Sequence, residues 1–340
     1  MQPRALLLLP PLLTLTLGLA ASPAVQGAGQ LKGGDGVPGQ TYTLNAGTPA
    51  ALNFTLLGAE YSADHFITDP GTNDERDYLR PAGKKLAVLH FTVQNPQKVN
   101  TRLRGDTLVL SGVDSNNKQV GRVYGSGVYD EITRKSVNAD LQPAQKMNLV
   151  MAMELDSRAS LPKLLVEANR STHAVWRYAP KIAPVLPAAL RDPSVANGSA
   201  SLDLGIPGTP GTYYPGKDVD FRVNAVSYAP GPLLGKTAPA GGKLLLVNLS
   251  FRNVHGRLFK LGNAFPPVRV KLYDQDGLGS GEAGKFFLAS RDQELSGDLM
   301  PGKDVALRLV VSVPAGVEPA RLEIMDVHKR TFDFPLSGVR

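Results

Sequence analysis

The 340-residue sequence contains no cysteine. This absence excludes disulfide bonds, thiolate metal ligands and a lipid anchor attached through cysteine. Secreted animal proteins often carry disulfides. If the chain is exported, its lack of cysteine therefore indicates a bacterial source. Long apolar runs are also missing after residue 21, and no amphipathic helix of convincing length follows.

The first 27 residues have the pattern of a secretory signal peptide. Arg4 supplies a positive charge, residues 5–21 are almost wholly apolar, and small residues follow. The alternative is a membrane anchor, but a Pro-Pro pair interrupts the run, and a spanning helix needs about 20 apolar residues. We expect cleavage between Ala20 and Ala28, export to the periplasm or cell surface of a bacterium, and no transmembrane segment afterwards.

The excess of positive charge is small. The chain has 37 basic and 30 acidic residues, and loss of Arg4 with the signal peptide reduces the net charge from +7 to +6. A dedicated nucleic-acid-binding protein has a larger and more clustered excess of basic residues. We therefore expect no nucleic-acid partner.

The most informative feature is an internal repeat with a spacing of about 160 residues. Corresponding segments occur in the same order in both copies, which indicates a duplicated unit. The pairs are 54–61 with 221–228, 85–95 with 243–253, 108–117 with 268–277, 141–143 with 299–301, and 163–168 with 321–326.

Each repeated segment alternates apolar and polar residues. Leu89 and Phe91 fall on one face of the first copy, as Val247 and Leu249 do in the second, with polar residues between them. A period of two indicates a half-buried strand. About seven short strands per copy predict an all-β chain of two tandem immunoglobulin-like antiparallel β-sandwiches.

Composition sets the expected domain boundaries. A glycine-rich, flexible segment covers residues 28–40, the first domain residues 41–179, and the second domain residues 212–340. Between the domains, residues 180–211 are rich in proline, glycine and alanine, so we expect a linker that makes few contacts.

Several motifs within the repeated segments resemble those of the immunoglobulin-like repeats of bacterial exported and surface proteins, a family of largely unknown function. The resemblance rests on residues 242–253, Tyr273-Asp274, Pro301-Gly302-Lys303 and residues 321–324. The first copy departs from the pattern, with Ala144 where the family usually has glycine and an insertion over residues 62–81. The resemblance implies the fold and export, and it implies no catalytic residues.

No motif has the residue spacing that would predict an enzyme, a cofactor or a metal site. The five histidines do not pair at metal-ligand distances along the sequence. Residues 231–237 resemble a phosphate-binding loop but are one residue short between the glycines. We expect a non-enzymatic protein without a cofactor, and an unrecognised hydrolase is the remaining enzymatic alternative.

Two acidic segments leave a cation-binding alternative open. Residues 274–277 have the start of a calcium loop but lack its later acids, and a hairpin turn explains the same residues. The insertion contributes five acids between Asp64 and Asp77, which fit either a hard cation or a solvated loop. The alternative function is therefore a calcium- or metal-dependent envelope-binding protein.

Basic residues are concentrated in one part of each copy. Residues 222–273 contain eight basic residues and no acid, and residues 79–105 repeat this bias. Such segregation suits an anionic partner, although an ordinary solvated sheet face has the same composition. We expect an envelope polymer or surface protein to contact the second copy through Arg252, Arg257, Lys260 and Arg269.

Overall fold

The computed structural model describes residues 34–339 except 115, 117, 121, 124–126, 169–175, 185 and 283. The predicted signal peptide, residues 1–27, lies outside the described residues, as do residues 28–33 of the glycine-rich segment. The described chain is all-β, and its one helical element is a short 3-10 helix, Ala188–Leu190. Within these same ranges no helix is long and apolar enough to cross a membrane.

The described residues of the first half of the chain, within 34–184, form sixteen strands. Their bounds are β1 (Asp35–Gly36), β2 (Thr41–Leu44), β3 (Leu52–Ser62), β4 (Ile67–Thr68), β5 (Arg76–Asp77), β6 (Lys84–Gln94), β7 (Thr101–Arg104), β8 (Leu108–Val113), β9 (Gln119–Val120), β10 (Arg122–Val123), β11 (Tyr129–Asp130), β12 (Asn138–Leu141), β13 (Lys146–Asp156), β14 (Lys163–Ala168), β15 (Trp176–Tyr178) and β16 (Ile182–Pro184).

In the second half, residues 206–339 without residue 283, the structure shows eleven strands. Their bounds are β17 (Ile206–Pro207), β18 (Asp220–Ala229), β19 (Lys243–Arg252), β20 (Phe259–Gly262), β21 (Val268–Asp274), β22 (Gly279–Glu282), β23 (Phe286–Leu288), β24 (Ser296–Leu299), β25 (Asp304–Val313), β26 (Pro319–Asp326) and β27 (Thr331–Pro335).

Each half has two main sheets with corresponding strand orders. In the first half the orders are β1-β15-β14-β8-β9 and β10-β13-β6-β3-β16, and in the second they are β17-β27-β26-β21-β22 and β18-β19-β25-β23. A two-stranded ribbon accompanies each pair of sheets, β7 with β12 and β20 with β24. The repeated sequence segments therefore occupy corresponding strands. Their shared period-two pattern also buries the same face of each corresponding strand.

The two halves have separate hydrophobic cores, each filled from both of its main sheets. Leu89 on β6 and Val247 on β19 are both fully buried at matching positions. The prediction that these two residues belong to the cores is confirmed. On β6 the opposite face is buried as well, because Leu86 and Val88 lie in a smaller cluster with Phe66 and Tyr129, so apolar alternation predicted only one of the two buried faces of this strand.

A buried asparagine ends the long strand of each half in the same way. Asn95 Nδ2 donates to the Val99 and Leu141 carbonyls, each at 2.8 Å. Asn253 Nδ2 donates to the Arg257 and Leu299 carbonyls at the same distance. Because these side chains satisfy buried backbone groups, they hold the turn after β6 and the turn after β19 in matching shapes.

The segment between the halves is packed, so the prediction of few contacts is wrong. β16 pairs in parallel with β3, and Leu186, Leu190 and Ile206 are buried in the core of the second half. Proline and glycine favour an extended, flexible chain, which is why the composition predicted few contacts. The prediction failed because burial of a few apolar side chains stabilises the packed segment by more than this tendency opposes it.

Candidate functional site: an ionic interface and a basic groove

The insertion of the first copy, residues 62–81, lies against the second half of the molecule. Its centre is the hairpin of β4 and β5. The backbones of Gly71 and Gly256 meet so closely that a Cβ atom on Gly256 would lie 2.4 Å from the Gly71 nitrogen. Only glycine permits this approach at residue 256, since any side chain would displace backbone atoms.

His65 joins the insertion to the second half. Its Nδ1 lies 2.7 Å from Asp77 Oδ2, and its Nε2 lies 2.8 Å from Asp220 Oδ1. Asp220 also accepts a hydrogen bond from Arg252 Nε at 3.2 Å, and the Arg252 guanidinium stacks over the Tyr213 ring. With a carboxylate at each ring nitrogen, both nitrogens donate and the imidazole carries a positive charge.

The electrostatics of this cluster agree with its geometry. Burial alone would lower the pKa of His65, but the hydrogen bonds from its ring to Asp220 and Asp77 raise it to about 9. Burial alone would raise the pKa of Asp77, but its hydrogen bond with His65 holds it below the usual value. At neutral pH the interface therefore contains a protonated histidine hydrogen-bonded to Asp77 and Asp220.

Glu75 forms a second link between the halves. Its Oε1 lies 2.8 Å from His255 Nδ1 and 3.6 Å from Arg257 Nε, and its Oε2 accepts the Gly256 N–H at 3.1 Å. The Glu75 side chain is fully buried. Asn253 helps to position the residues that contact Glu75, since Asn253 Oδ1 accepts the His255 N–H at 2.9 Å. The repeated asparagine thus shapes the loop that receives the insertion.

A third contact lies beside the first two. Arg330 is buried and pairs with Asp326, with Nε 2.8 Å from Oδ2. The same guanidinium donates to the Ala63 carbonyl at the start of the insertion and to the Pro215 carbonyl. A buried cation with a carboxylate and two carbonyl acceptors is well compensated, so this pair holds the insertion against the second half.

The four predicted contact residues do not form one surface. Arg252 and Arg257 point into the interface described above, where Asp220 and Glu75 compensate their charge. Lys260 is exposed on β20, opposite Asp298 of β24 in register. Acids that are distant in sequence therefore neutralise part of the basic stretch, which a linear count of charges does not reveal.

Arg269 lies elsewhere, in a groove beside β21. The groove has a volume of about 380 Å³. Phe265 forms part of its wall with 92% of its surface exposed, and Arg269 and Lys329 are exposed there as well. Asp218 also lines the groove. Among the ion pairs of the described residues, none involves Arg269 or Lys329, so the groove combines an exposed aromatic ring with two cations that lack an ion-pair partner.

Several of the acids considered for cation binding have protein partners. Asp274 Oδ1 accepts the N–H groups of Asp276 and Leu278, which is hairpin-turn chemistry. In the insertion, both Asp69 carboxylate oxygens accept hydrogen bonds from Ser136. No group of three or more histidine or acidic side chains suited to a metal ion occurs within the part of the chain that the structure describes.

Sequence reasoning missed the interface because its partners are far apart along the chain. His65 and Asp220 are separated by 155 residues, and Glu75 and His255 by 180. One signal was present: the insertion concentrates acids in the first copy, and the second copy contains the acid-free basic stretch. Complementary charge between an insertion and a neighbouring repeat is a reason to expect contact between them.

Comparison with protein-family models gives no match, and comparison with curated proteins gives none either. An uncharacterized β-sandwich protein from Clostridium difficile 630 is similar over 44% of this chain and 95% of its own, with 15% identity and a TM-score of 0.31. A protein of unknown function from Porphyromonas gingivalis W83 is similar over 82% of this chain and 99% of its own, with 12% identity and a TM-score of 0.16. The resemblance to exported immunoglobulin-like repeats stays a prediction.

Proposed function

We propose that this chain is an exported, non-enzymatic binding or scaffold protein of the bacterial cell envelope that contacts an anionic envelope component. It consists of two tandem immunoglobulin-like β-sandwich domains after a cleaved signal peptide. The observation that carries the proposal is the groove of Phe265, Arg269 and Lys329, where an almost fully exposed aromatic ring lies beside two cations without ion-pair partners.

The chemistry of the groove favours an acidic polysaccharide as the anionic component. Exposed aromatic rings offer a flat apolar surface on which a sugar ring can stack, and arginine binds carboxylates in a bidentate fashion. Phe265 and Val327 are both exposed and both line the groove, and an apolar surface larger than one side chain marks an interaction site more often than isolated exposed residues do. The ionic interface supports a scaffold role, because it fixes the two halves relative to each other.

Binding of a labelled oligogalacturonate to the purified full-length chain tests the proposal. Attraction between exposed charges weakens with salt, because the Debye length falls from about 10 Å at 0.1 M to about 3 Å at 1 M. Affinity should therefore drop steeply between these concentrations. Phe265→Ser and the double variant Arg269→Ser with Lys329→Ser should each weaken binding by about tenfold or more.

The matched control is Lys260→Ser, which removes an exposed cation outside the groove. We expect its affinity to equal that of the parent chain, and all variants to keep the parent melting temperature, since exposed substitutions usually change stability by less than about 0.5 kcal/mol. Equal loss in the Lys260 variant, or no loss in the groove variants, would show that the groove is not the binding site.

Export has its own test. Expression of the full-length chain in a bacterial host, followed by N-terminal mass spectrometry of the mature protein, should find a new terminus between Ala20 and Ala28. A chain that keeps Met1, or that remains with the membrane after high-salt washing, would contradict the predicted cleavage.

A further inference from the structure

The second half has a strand edge that is bare where the first half is covered. In the first half, β16 pairs in parallel with the outer edge of β3, with Ile182 opposite Ala59 and Pro184 opposite Tyr61. Both β3 and β18 contain a bulge at the same repeat position, after Leu56 and after Val223. Val226 therefore corresponds to Ala59, and Tyr228 to Tyr61.

The covered edge includes a lysine and a tyrosine. Lys85 Nζ lies 4.1 Å from the centre of the Tyr61 ring and donates to the Ser199 carbonyl of the segment that follows β16. Lys85 is fully buried by this arrangement. The segment between the halves thus supplies a strand to the edge of β3 and a carbonyl to the lysine of β6.

The second half has the same pair without the cover. Lys243 Nζ lies 4.8 Å from the centre of the Tyr228 ring, and Lys243 is exposed. A depression of about 380 Å³ adjoins both residues. The residues around Gly211 and Tyr214 cover only the first part of the outer edge of β18. From Ala225 to Ala229, no strand in the described part of the chain pairs with this edge.

We propose that the outer edge of β18, from Val226 to Tyr228, binds an extended peptide segment of a partner protein in parallel register. The segment has the chemistry of residues 181–184, Lys-Ile-Ala-Pro, in which one lysine precedes small and apolar residues. A backbone carbonyl of the partner accepts a hydrogen bond from Lys243 Nζ, as the Ser199 carbonyl does from Lys85.

Backbone geometry defines the hydrogen bonds of this site. N–H and C=O groups of alternate residues point to the same side of a strand, and an edge strand leaves one set unpaired. Ala59 faces β16, so Val226 and Tyr228 present their backbone groups to the open side. In the covering strand Pro184 has no N–H, and the N–H of Ala183 is the one directed at β3.

The test uses a heptapeptide that reproduces residues 178–184 and the isotope-labelled full-length chain. Nuclear magnetic resonance should show amide shifts at Val226–Tyr228 on titration. N-methylation at the position of Ala183 removes the bonding N–H and should weaken binding by about tenfold or more. N-methylation at the position of Ile182, whose N–H points away, is the matched control and should leave affinity unchanged.

A second variant places the change in the protein. Val226→Pro removes an outward N–H from an edge strand, where proline is tolerated, and should abolish the shifts. The proposal would be overturned by amide shifts at Ala59–Tyr61 in place of Val226–Tyr228, or by the absence of any shift. It would also be overturned if both N-methylated peptides lost binding affinity equally. Shifts at Val226–Tyr228 that depend on protein concentration without peptide would also overturn it, because a second copy of the chain would then be the occupant.

Discussion

The long central strands of the two halves carry matching cores, but their surroundings differ. Arg252 and Asp220 form a charged pair at the end of β19 in the second half, whereas the matching residues of the first half, Gln94 and Asn53, form an amide pair at 3.5 Å. The first half has the insertion that uses the charged pair, through His65. The two cores thus match, whereas the charged pair occurs only in the half that receives the insertion.

This difference indicates where to look for function in the molecule. Positions that match between the halves, such as Asn95 and Asn253, serve the fold. Positions that do not match serve either the contact between the halves, as His65 does, or a surface with no described partner, as Phe265 does. The comparison therefore separates structural residues from candidate binding residues without any catalytic motif.

The largest expected effect comes from breaking the charged pair. Asp220→Ala leaves His65 and Arg252 without their shared carboxylate, and loss of one partner of a buried ion pair costs about 3–5 kcal/mol. Asn53→Ala at the matching position of the first half removes two neutral hydrogen bonds, the long one to Gln94 and one that Thr43 Oγ1 donates at 2.8 Å, each worth about 1 kcal/mol. Urea denaturation of both variants measures the difference, and equal losses would refute the comparison.

Core truncation should affect both halves. Leu89→Ala removes a fully buried side chain and should lower the free energy of unfolding by about 2–5 kcal/mol. Val247→Ala, at the matching position, should cost less because a smaller group is removed. Thermal melting checks both variants, and an unchanged curve for Leu89→Ala would mean that this face of β6 does not support the fold.

The pH dependence should distinguish the interface from the cores. The pKa of His65 is raised from 6.5 to about 9 in the folded chain, so its contribution is fully present below pH 6.5 and disappears as pH rises through 9. The amount is on the order of 3 kcal/mol. Unfolding free energies at pH 6 and pH 9.5 should differ more for the parent chain than for His65→Gln. An identical difference in both would exclude a role for His65.

The smallest expected effect concerns one backbone position. Ala144 and Gly302 both have a positive φ, 63° and 67°, and both donate their N–H to the repeated asparagine. Glycine adopts this conformation without the strain that alanine has, so Ala144→Gly should stabilise the chain by roughly 0.5–1 kcal/mol. Gly302→Ala should destabilise it by a similar amount. Denaturation midpoints of the two variants should shift in opposite directions.

The sequence was sufficient for the long repeated strands and insufficient for the contacts between the halves. About seven strands per copy were predicted, whereas the described residues form sixteen and eleven, because two-residue strands leave no periodic pattern. Alternation at Leu89 and Val247 predicted burial correctly, because the pattern is local and the pleat fixes the face. The packed segment that includes Leu186, and the pairing of His65 with Asp220, were not predicted. Both depend on residues brought together by the whole fold, and no local periodicity records which distant surface an insertion or a linker will meet.

The burial of Leu186 and Leu190 in the second core imposes an order on folding. Domains generally fold from the N-terminus as the chain is made, so these two leucines emerge before the strands that cover them. Until β18 and β19 pair, both side chains remain in water, and the unfinished chain exposes an apolar segment. A nascent protein halted near residue 210 should therefore be the species that aggregates most readily or binds a holding chaperone.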